Sequence, residues 1–555
     1  MFSKPKFTWL TCLIILSLLT ACGAPSGGSG AAPSAEATQP AAEVQPGAAQ
    51  GRDLKTLIVV MPDVPTNFDP GVATAGTDNL LHRAVYEGLV NYKGASITEV
   101  EPVLAESFSA NDDSSVWTFI IRQNVKFTDG TTLTAQTVKD AYVRMVTLGY
   151  LGNTINRFTG GNLDNLIVKD EYTLEWHCGF ACPTLPVTLA TAYGTAVISP
   201  AAVKVNAKAD DLAQEWLTQN AVGTGAYMIS EVKPNQEIIL VKNPDYWRGW
   251  ADDHFEQIIL RAVPEAATRR QLLEKGDADI GQIDVAEDRV ALLESGDVIG
   301  SDVPLLRVNY ATFTVRGVLT DPRVRQAIAY AFDYDGYADQ LELGVMKRGA
   351  TPWPSGMSSA QKDGFVYETD LEKAKQLLQE AGVAEGTELT FMYYKGFGGE
   401  RVGQVLQAQL AQIGLALTLE ERDEGAFNDV FYGAAPIEER PEMMYYAWWP
   451  DYDDFYNYVN PVFHTRNDQN DGLGNGSLYS NARIDQLTEA SKTETDPAKL
   501  QAIYAETHQI LTFDDPAGLW IAEPNEQMLL RADIQGHPYN PVHVKTFDFY
   551  GLSRE

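Results

Sequence analysis

The longest apolar run in this 555-residue chain is short and sits at its start. Leu10–Leu19 is interrupted only by Thr11, Cys12 and Ser17 and follows the basic residues Lys4 and Lys6. A membrane-spanning helix needs about 18 or more consecutive apolar residues, so this run has the length and flank of a secretory signal, predicted over residues 1–21. No later segment reaches that length, so the body must bury its apolar residues in a folded core. Between Gly23 and Gly51, 22 of 29 residues are Gly, Ala, Pro or Ser. Such a segment has too little apolar surface to offset its ordering entropy. Residues 22–53 are therefore expected to form a flexible linker with a reach of about 30 Å. The charge balance, 42 Lys+Arg against 75 Asp+Glu, gives a net −33. This argues against nucleic acid as a partner and against a polybasic membrane-surface protein. Four cysteines in 555 residues exclude a disulfide-built scaffold.

Beyond the linker, helical and strand patterns alternate, which indicates α/β lobes, and the length suggests two to four domains. Leu54–Met61 reads as a buried strand stopped by Pro62. Helices are expected over Asp78–Leu89, after the N-cap Thr134, over Ala266–Lys275 before Gly276, after Asp321-Pro322, after Asp370, over Arg401–Ile413 and after Asp496-Pro497. Tyr227–Ile229 and Glu237–Val241 form an expected hairpin pair around Lys233-Pro234-Asn235. Gly130, Gly223 and Gly225 are expected to supply turns with positive φ. Arg122, Arg323 and Arg325 are expected to be structural ion pairs or caps.

Four segments, in order, carry a resemblance. They are Ala84–Val90 (AVYEGLV); Leu104-Ala105-Glu106 through Trp117-Thr118-Phe119 and Arg122 to Val125-Lys126-Phe127, Asp129-Gly130 and Thr134-Ala135; Val222–Tyr227 (VGTGAY) with Asn243–Trp247 (NPDYW); and Asp321–Ala327 (DPRVRQA) ending in Ala331-Phe332-Asp333. Together they resemble solute-binding family 5, the large extracytoplasmic receptors of peptide and nickel transporters, over about residues 54–555. The resemblance implies a two-lobed α/β periplasmic-binding-protein-like fold (type II, cluster C) with an extra inserted domain. Carried onto this chain, lobe I is 54–92 with 220–309 and 515–555, the extra domain is 93–219, and lobe II is 310–514. It further implies a ligand held between the lobes by hinge closure and delivered to the permease of an ABC importer. Leu19-Thr20-Ala21-Cys22 resembles the lipobox of bacterial lipoproteins. Cys22 would then carry lipid and tether a monomer to the outer face of the cell membrane, or in the periplasm; the alternative is an ordinary signal peptide.

The candidate site is the stretch Tyr445–Phe455 (YYAWWPDYDDF). It resembles the family segment in which a Trp is followed by an Asp that pairs with a peptide α-amino group. Trp448 is then the pocket Trp and Asp451 the amine partner, through a charge-assisted hydrogen bond. The backbone near Ala447–Trp449 would pair with an extended peptide as an added strand. Asp453 and Asp454 are expected to be capping, structural or solvated. On the lobe I side Thr74, Ala75 and Gly76 match a backbone-contact segment, where Gly76 would admit a close ligand backbone. Some oligopeptide binders carry an Arg three residues before the pocket Trp; here that residue is Tyr445, which leaves the cation for a peptide carboxylate unassigned. Tyr445, Tyr446, Trp448, Trp449 and Tyr452 could stack on sugar rings instead, so an oligosaccharide or another non-peptide solute is the alternative ligand. A cell-wall hydrolase is a weaker alternative, because no His-Glu-x-x-His, Gly-x-Ser-x-Gly or supported Ser-x-x-Lys motif is present. Cys178 and Cys182 flank a turn of the extra domain and outside the membrane are expected to form a disulfide. No metal site or cofactor is expected: no second Cys or His pair stands at zinc spacing, and Asn467–Gly472 lacks the Glu of a calcium loop.

Overall fold

The computed structural model describes residues 53–555 except 73–75, 150–152, 192–194, 467–473 and 544. The signal, Cys22, the linker up to Arg52, Thr74, Ala75 and the Asn467–Gly472 loop lie outside the described residues. Residues 53–555 form one compact unit.

Three sheets organise this unit. A seven-stranded sheet runs in the order Val298–Ile299, Met528–Arg531, Ile280–Gln282, Thr56–Met61, Gln257–Ala262, Glu237–Lys242, Tyr227–Lys233. Its centre is Thr56–Met61, parallel to both neighbours. A parallel strand covered on both faces needs a continuous apolar sequence, and Leu57, Val59, Val60 and Met61 are fully buried. A six-stranded sheet runs Met346–Arg348, Gly518–Pro524, Val308–Phe313, Met443–Trp448, Thr387–Tyr394, Leu415–Arg422. A four-stranded sheet, Ala105–Ala110, Val116–Ile121, Thr173–His177 and Leu166–Asp170, belongs to the segment inserted between strands of the first sheet. Helix Ala135–Leu148 packs on this sheet, burying Val138, Ala141, Tyr142 and Met145.

The chain passes between the two large sheets at 300–307 and again at 525–527. Gly518–Pro524, which the division by resemblance assigned to lobe I, pairs with Val308–Phe313 in the six-stranded sheet. Its seven buried residues give no signal of which sheet they enter, because the choice is made by the partner strand.

Local signals account for most helix starts. Thr134 accepts from the amide of Thr137, Asp321 from Arg323, Asp370 from Lys373 and Asp496 from Ala498, each satisfying an orphan donor at a helix N-terminus. Helix Gly76–Val85 stops earlier than the apolar pattern through Leu89 suggests. The amide of Gly225 donates to the carbonyl of Val85 at 3.1 Å, capturing the helix end. Gly130 has φ +83°, but Gly223 and Gly225 do not occupy the left-handed region. They are needed for close approach: a Cβ on Gly223 would lie 2.1 Å from the Val85 carbonyl oxygen, and one on Gly225 2.5 Å from that of Ala84. Cys178 and Cys182 are joined by a disulfide. Arg323 pairs with Asp321, buried Arg325 pairs with Asp515, and Arg122 lies over the Trp247 ring.

Candidate functional site

The six-stranded sheet builds the site around one strand. Met443–Trp448 is antiparallel to Val308–Phe313 along its whole length. On its other side Thr387–Tyr394 pairs only with Met443 and Met444. From Tyr445 to Trp448 that edge carries no paired strand among the described residues. A row of backbone donors and acceptors is therefore available to an incoming extended chain.

Asp451 follows the end of this strand and precedes helix Phe455–Phe463, which Asp454 N-caps. Its carboxylate accepts from Asn457 Nδ2 at 3.1 Å, while its amide donates to Asn457 Oδ1 at 2.8 Å. No Lys, Arg or His lies within salt-bridge distance of it among the described residues. Burial pushes its carboxyl above the ordinary value, and the Asn457 hydrogen bond opposes that only in part. Asp451 is thus a half-buried carboxyl held in place by an amide, with no cation beside it among the described residues. Asp453 accepts from the amide of Ser358 at 3.0 Å, so it ties down the same turn.

The aromatic residues divide by strand alternation and depth. Tyr445 is 1 % exposed, and its ring packs on Phe391 and Phe397 in the second lobe's core. Tyr446 packs on Phe427 and Phe431, and its hydroxyl meets that of Tyr432. Trp448 and Trp449 are half-buried. Ala447 is fully buried and lies in the stretch whose second edge is open. Tyr452 is buried, and its hydroxyl accepts from Arg157 Nη1 at 2.6 Å. Arg157 also lies 3.7 Å from Asp454 and over the Tyr456 ring, joining the inserted domain to the turn that carries Asp451.

Tyr92 meets the turn from the first lobe's side. It is 2 % exposed, its hydroxyl has no hydrogen-bond partner among the described residues, and the carboxylates of Asp453 and Asp451 act electrostatically on it. Gly76 opens helix Gly76–Val85 and is half-buried. A Cβ there would meet only the side chain of Lys545, at 3.9 Å, so no packing within the described protein requires this glycine.

Two residues not singled out in the sequence belong here. Arg307 lies in the first crossing segment, with its guanidinium 4.8 Å from the centroid of Phe397 and 5.9 Å from that of Trp449. Its Nε donates to Asn309 Oδ1 at 2.9 Å. Burial lowers its pKa. Lys545 stands beside Gly76, and burial lowers its pKa as well, with the charge of Arg307 adding to the effect. The one available sequence signal was an Arg just before the strand that pairs with the candidate site strand. A cavity of about 100 Å³, lined among others by Arg83, Glu101, Arg248 and Asp548, lies elsewhere and contains none of these residues.

Comparison with known proteins places this geometry in a lineage. Residues 99–470 match the family model of the bacterial extracellular solute-binding proteins, family 5, middle region. The chain is 29% identical over 495 residues to the probable D,D-dipeptide-binding periplasmic protein DdpA of Escherichia coli, covering 88% of this chain and 92% of that protein. It is 26% identical over 516 residues to di/tripeptide-binding protein 2 of Pseudomonas aeruginosa, covering 89% and 94%. Among solved structures it superposes on the periplasmic binding protein DppA of Helicobacter pylori, in complex with the peptide STSA. The TM-score is 0.75 and the identity 22%, with 90% of this chain and 98% of that chain covered. The oligopeptide-binding protein AppA of Bacillus subtilis, in complex with a nonapeptide, gives a TM-score of 0.74 at 21% identity, covering 90% and 99%. These likenesses establish the two-lobed type II periplasmic-binding fold. The chain belongs to the bacterial extracellular solute-binding proteins, family 5.

Proposed function

We propose that this protein is the extracytoplasmic receptor of an ABC importer, tethered by lipid on Cys22, and that it captures peptides between its lobes. The peptide α-amino group pairs with Asp451, and the peptide backbone adds to the open edge at Tyr445–Trp448. Thr74, Ala75 and Gly76 supply the opposite wall. Trp448 and Trp449 border the ligand; Tyr445 and Tyr452 support the site from beneath rather than stacking on the ligand. Closure of the lobes over the peptide then gives the membrane permease a form to distinguish from the empty receptor.

The observation that carries this reading is Asp451, a half-buried carboxylate without a cation among the described residues, set beyond the end of an open strand edge. An ammonium group arriving there gains a charge-assisted hydrogen bond, and backbone pairing adds affinity that does not depend on side-chain identity. The relatives whose names and titles mention dipeptides, tripeptides and bound peptides agree with it. The test is calorimetry with alanine peptides on the wild type and Asp451→Asn. The variant, with an unchanged circular dichroism spectrum, is expected to bind at least tenfold more weakly. Unchanged affinity removes Asp451 from the amine role. A response to oligosaccharides and none to peptides contradicts the reading as a whole.

A further inference from the structure

We propose that the protein has a second ligand site, in the cavity beside Arg83, and that this site takes a small zwitterion the size of glycine or alanine. It is separate from the candidate peptide site, because neither Asp451 nor any residue of the open strand edge lines it.

The cavity has a volume of about 100 Å³ and is lined by two cations, Arg83 and Arg248, and by the carboxylates of Glu101 and Asp548. None of these four side chains forms an ion pair, with one another or with any other group, among the described residues. Arg83 is half-buried; the other three are exposed. A further carboxylate in the wall, Glu87, is engaged by the hydroxyls of Thr224 and Tyr246 and by Trp247 Nε1.

Three segments bring the charges together. Arg83 stands in the last turn of helix Gly76–Val85, where its Nη2 donates to Asn91 Oδ1 at 3.2 Å and its Nη1 lies 3.3 Å from His543 Nε2. Asn91 is directly opposite Glu101 in the antiparallel pair of Val90–Tyr92 with Val100–Pro102. Opposed residues share a face, so the bond to Asn91 carries the guanidinium to the face on which Glu101 stands. Arg248 lies with its guanidinium 4.7 Å from the centroid of Trp247 and 5.8 Å from that of Tyr550, two residues beyond Asp548.

These contacts hold the cations toward an amide and aromatic rings, and the opposite charges around the cavity stay apart. A ligand with both signs bridges them. Its carboxylate takes the N–H donors of Arg83 and Arg248, and its ammonium faces Glu101 and Asp548, through charge-assisted hydrogen bonds at both ends. A simple anion would meet the two carboxylates, and a simple cation the two guanidiniums, whereas a zwitterion leaves the charge balance of the wall unchanged. Volume sets the size. A cavity of roughly 150 Å³ holds a benzene ring, so this smaller one admits only a few heavy atoms. Ala84, Gly88, Ala190, Ala196 and Ala226 make much of the remaining wall and leave room without forming a pocket for a large side chain.

The experiment uses glycine as the probe, with N-acetylglycine and glycinamide as controls that each lack one charge. Binding to the protein is followed by calorimetry and saturation-transfer NMR at low salt, where such charges are least screened. Glycine is expected to bind at least tenfold more tightly than either control. Arg248→Gln and Asp548→Asn, at exposed positions, are each expected to weaken glycine binding at least tenfold and to leave peptide affinity unchanged. Asp451→Asn is expected to bind glycine as the wild type does. Absence of glycine binding, with the cavity holding water only, would overturn the proposal. So would glycinamide or N-acetylglycine binding as tightly as glycine. Loss of glycine binding in Asp451→Asn but not in Arg248→Gln would overturn it as well, by assigning the glycine to the peptide site.

Discussion

At the scale of single residues, the site depends on charges left without partners and on glycines that let backbone pass. Asp451, Arg307 and Lys545 are partly or wholly withdrawn from water, yet no ion pair neutralises them among the described residues. Elsewhere buried charges are of both kinds: Arg144 and Asp69 form a bidentate pair with side chains 4% and 0% exposed, whereas Arg440, Arg289 and Glu523 are buried without an ion pair among the described residues. Charge withdrawn from water is costly without a partner, so Asp451 gains from a ligand cation without being the one such group in the protein. Gly225 is a constraint of packing rather than conformation. A methyl group there would meet the backbone of Ala84 and Val85 at 2.5 Å, where nothing flexible can yield. Gly225→Ala is therefore expected to destabilise the protein by about 1–3 kcal/mol. Denaturant unfolding monitored by circular dichroism would read this as a lower midpoint, and an unchanged midpoint would mean that the helix end and the glycine loop separate freely. The sequence shows that a glycine is wanted at this position, but close approach and positive φ leave the same letter.

At the scale of elements, what the sequence displays is what local chemistry decides. Asp321-Pro322, Asp370, Asp496-Pro497 and Thr134 open helices because the capping oxygen and the amide it satisfies lie within three residues of each other. Strand partners are decided at a distance. Nothing in Gly518–Pro524 announces pairing with Val308–Phe313. The motif around Asp451 was legible as a family pattern, whereas Arg307, which lies against Trp449, comes from a crossing segment distant in sequence. Arg157 illustrates a contact between elements that must break when the lobes part. It reaches from the inserted domain to Tyr452 and Asp454 in the turn next to Asp451. A charge-assisted hydrogen bond of this kind contributes roughly 1.5–3 kcal/mol. Arg157→Met is expected to speed peptide release about tenfold, with a smaller change in the association rate. Stopped-flow displacement of a labelled peptide measures both, and an unchanged release rate would exclude Arg157 from holding the closed form.

At the scale of the whole molecule, two sheets joined by two crossing segments form a body whose lobes can close by small changes in those segments. In the proposed function the open strand edge and Asp451 form one wall of the cleft, and Gly76 belongs to the other. The strongly acidic surface, net −33 over the chain, is separate from this arrangement, and it excludes nucleic acid without indicating what the cleft holds. In the proposed function the cleft holds peptides by their free amino end. Its most direct test is mass spectrometry of the ligand released on denaturing the protein purified from its native host. Peptides with unblocked amino termini and mixed side chains are expected, and they are expected to be absent from parallel preparations of Asp451→Asn. Oligosaccharides, or species lacking a free amine and retained equally by the variant, would contradict it.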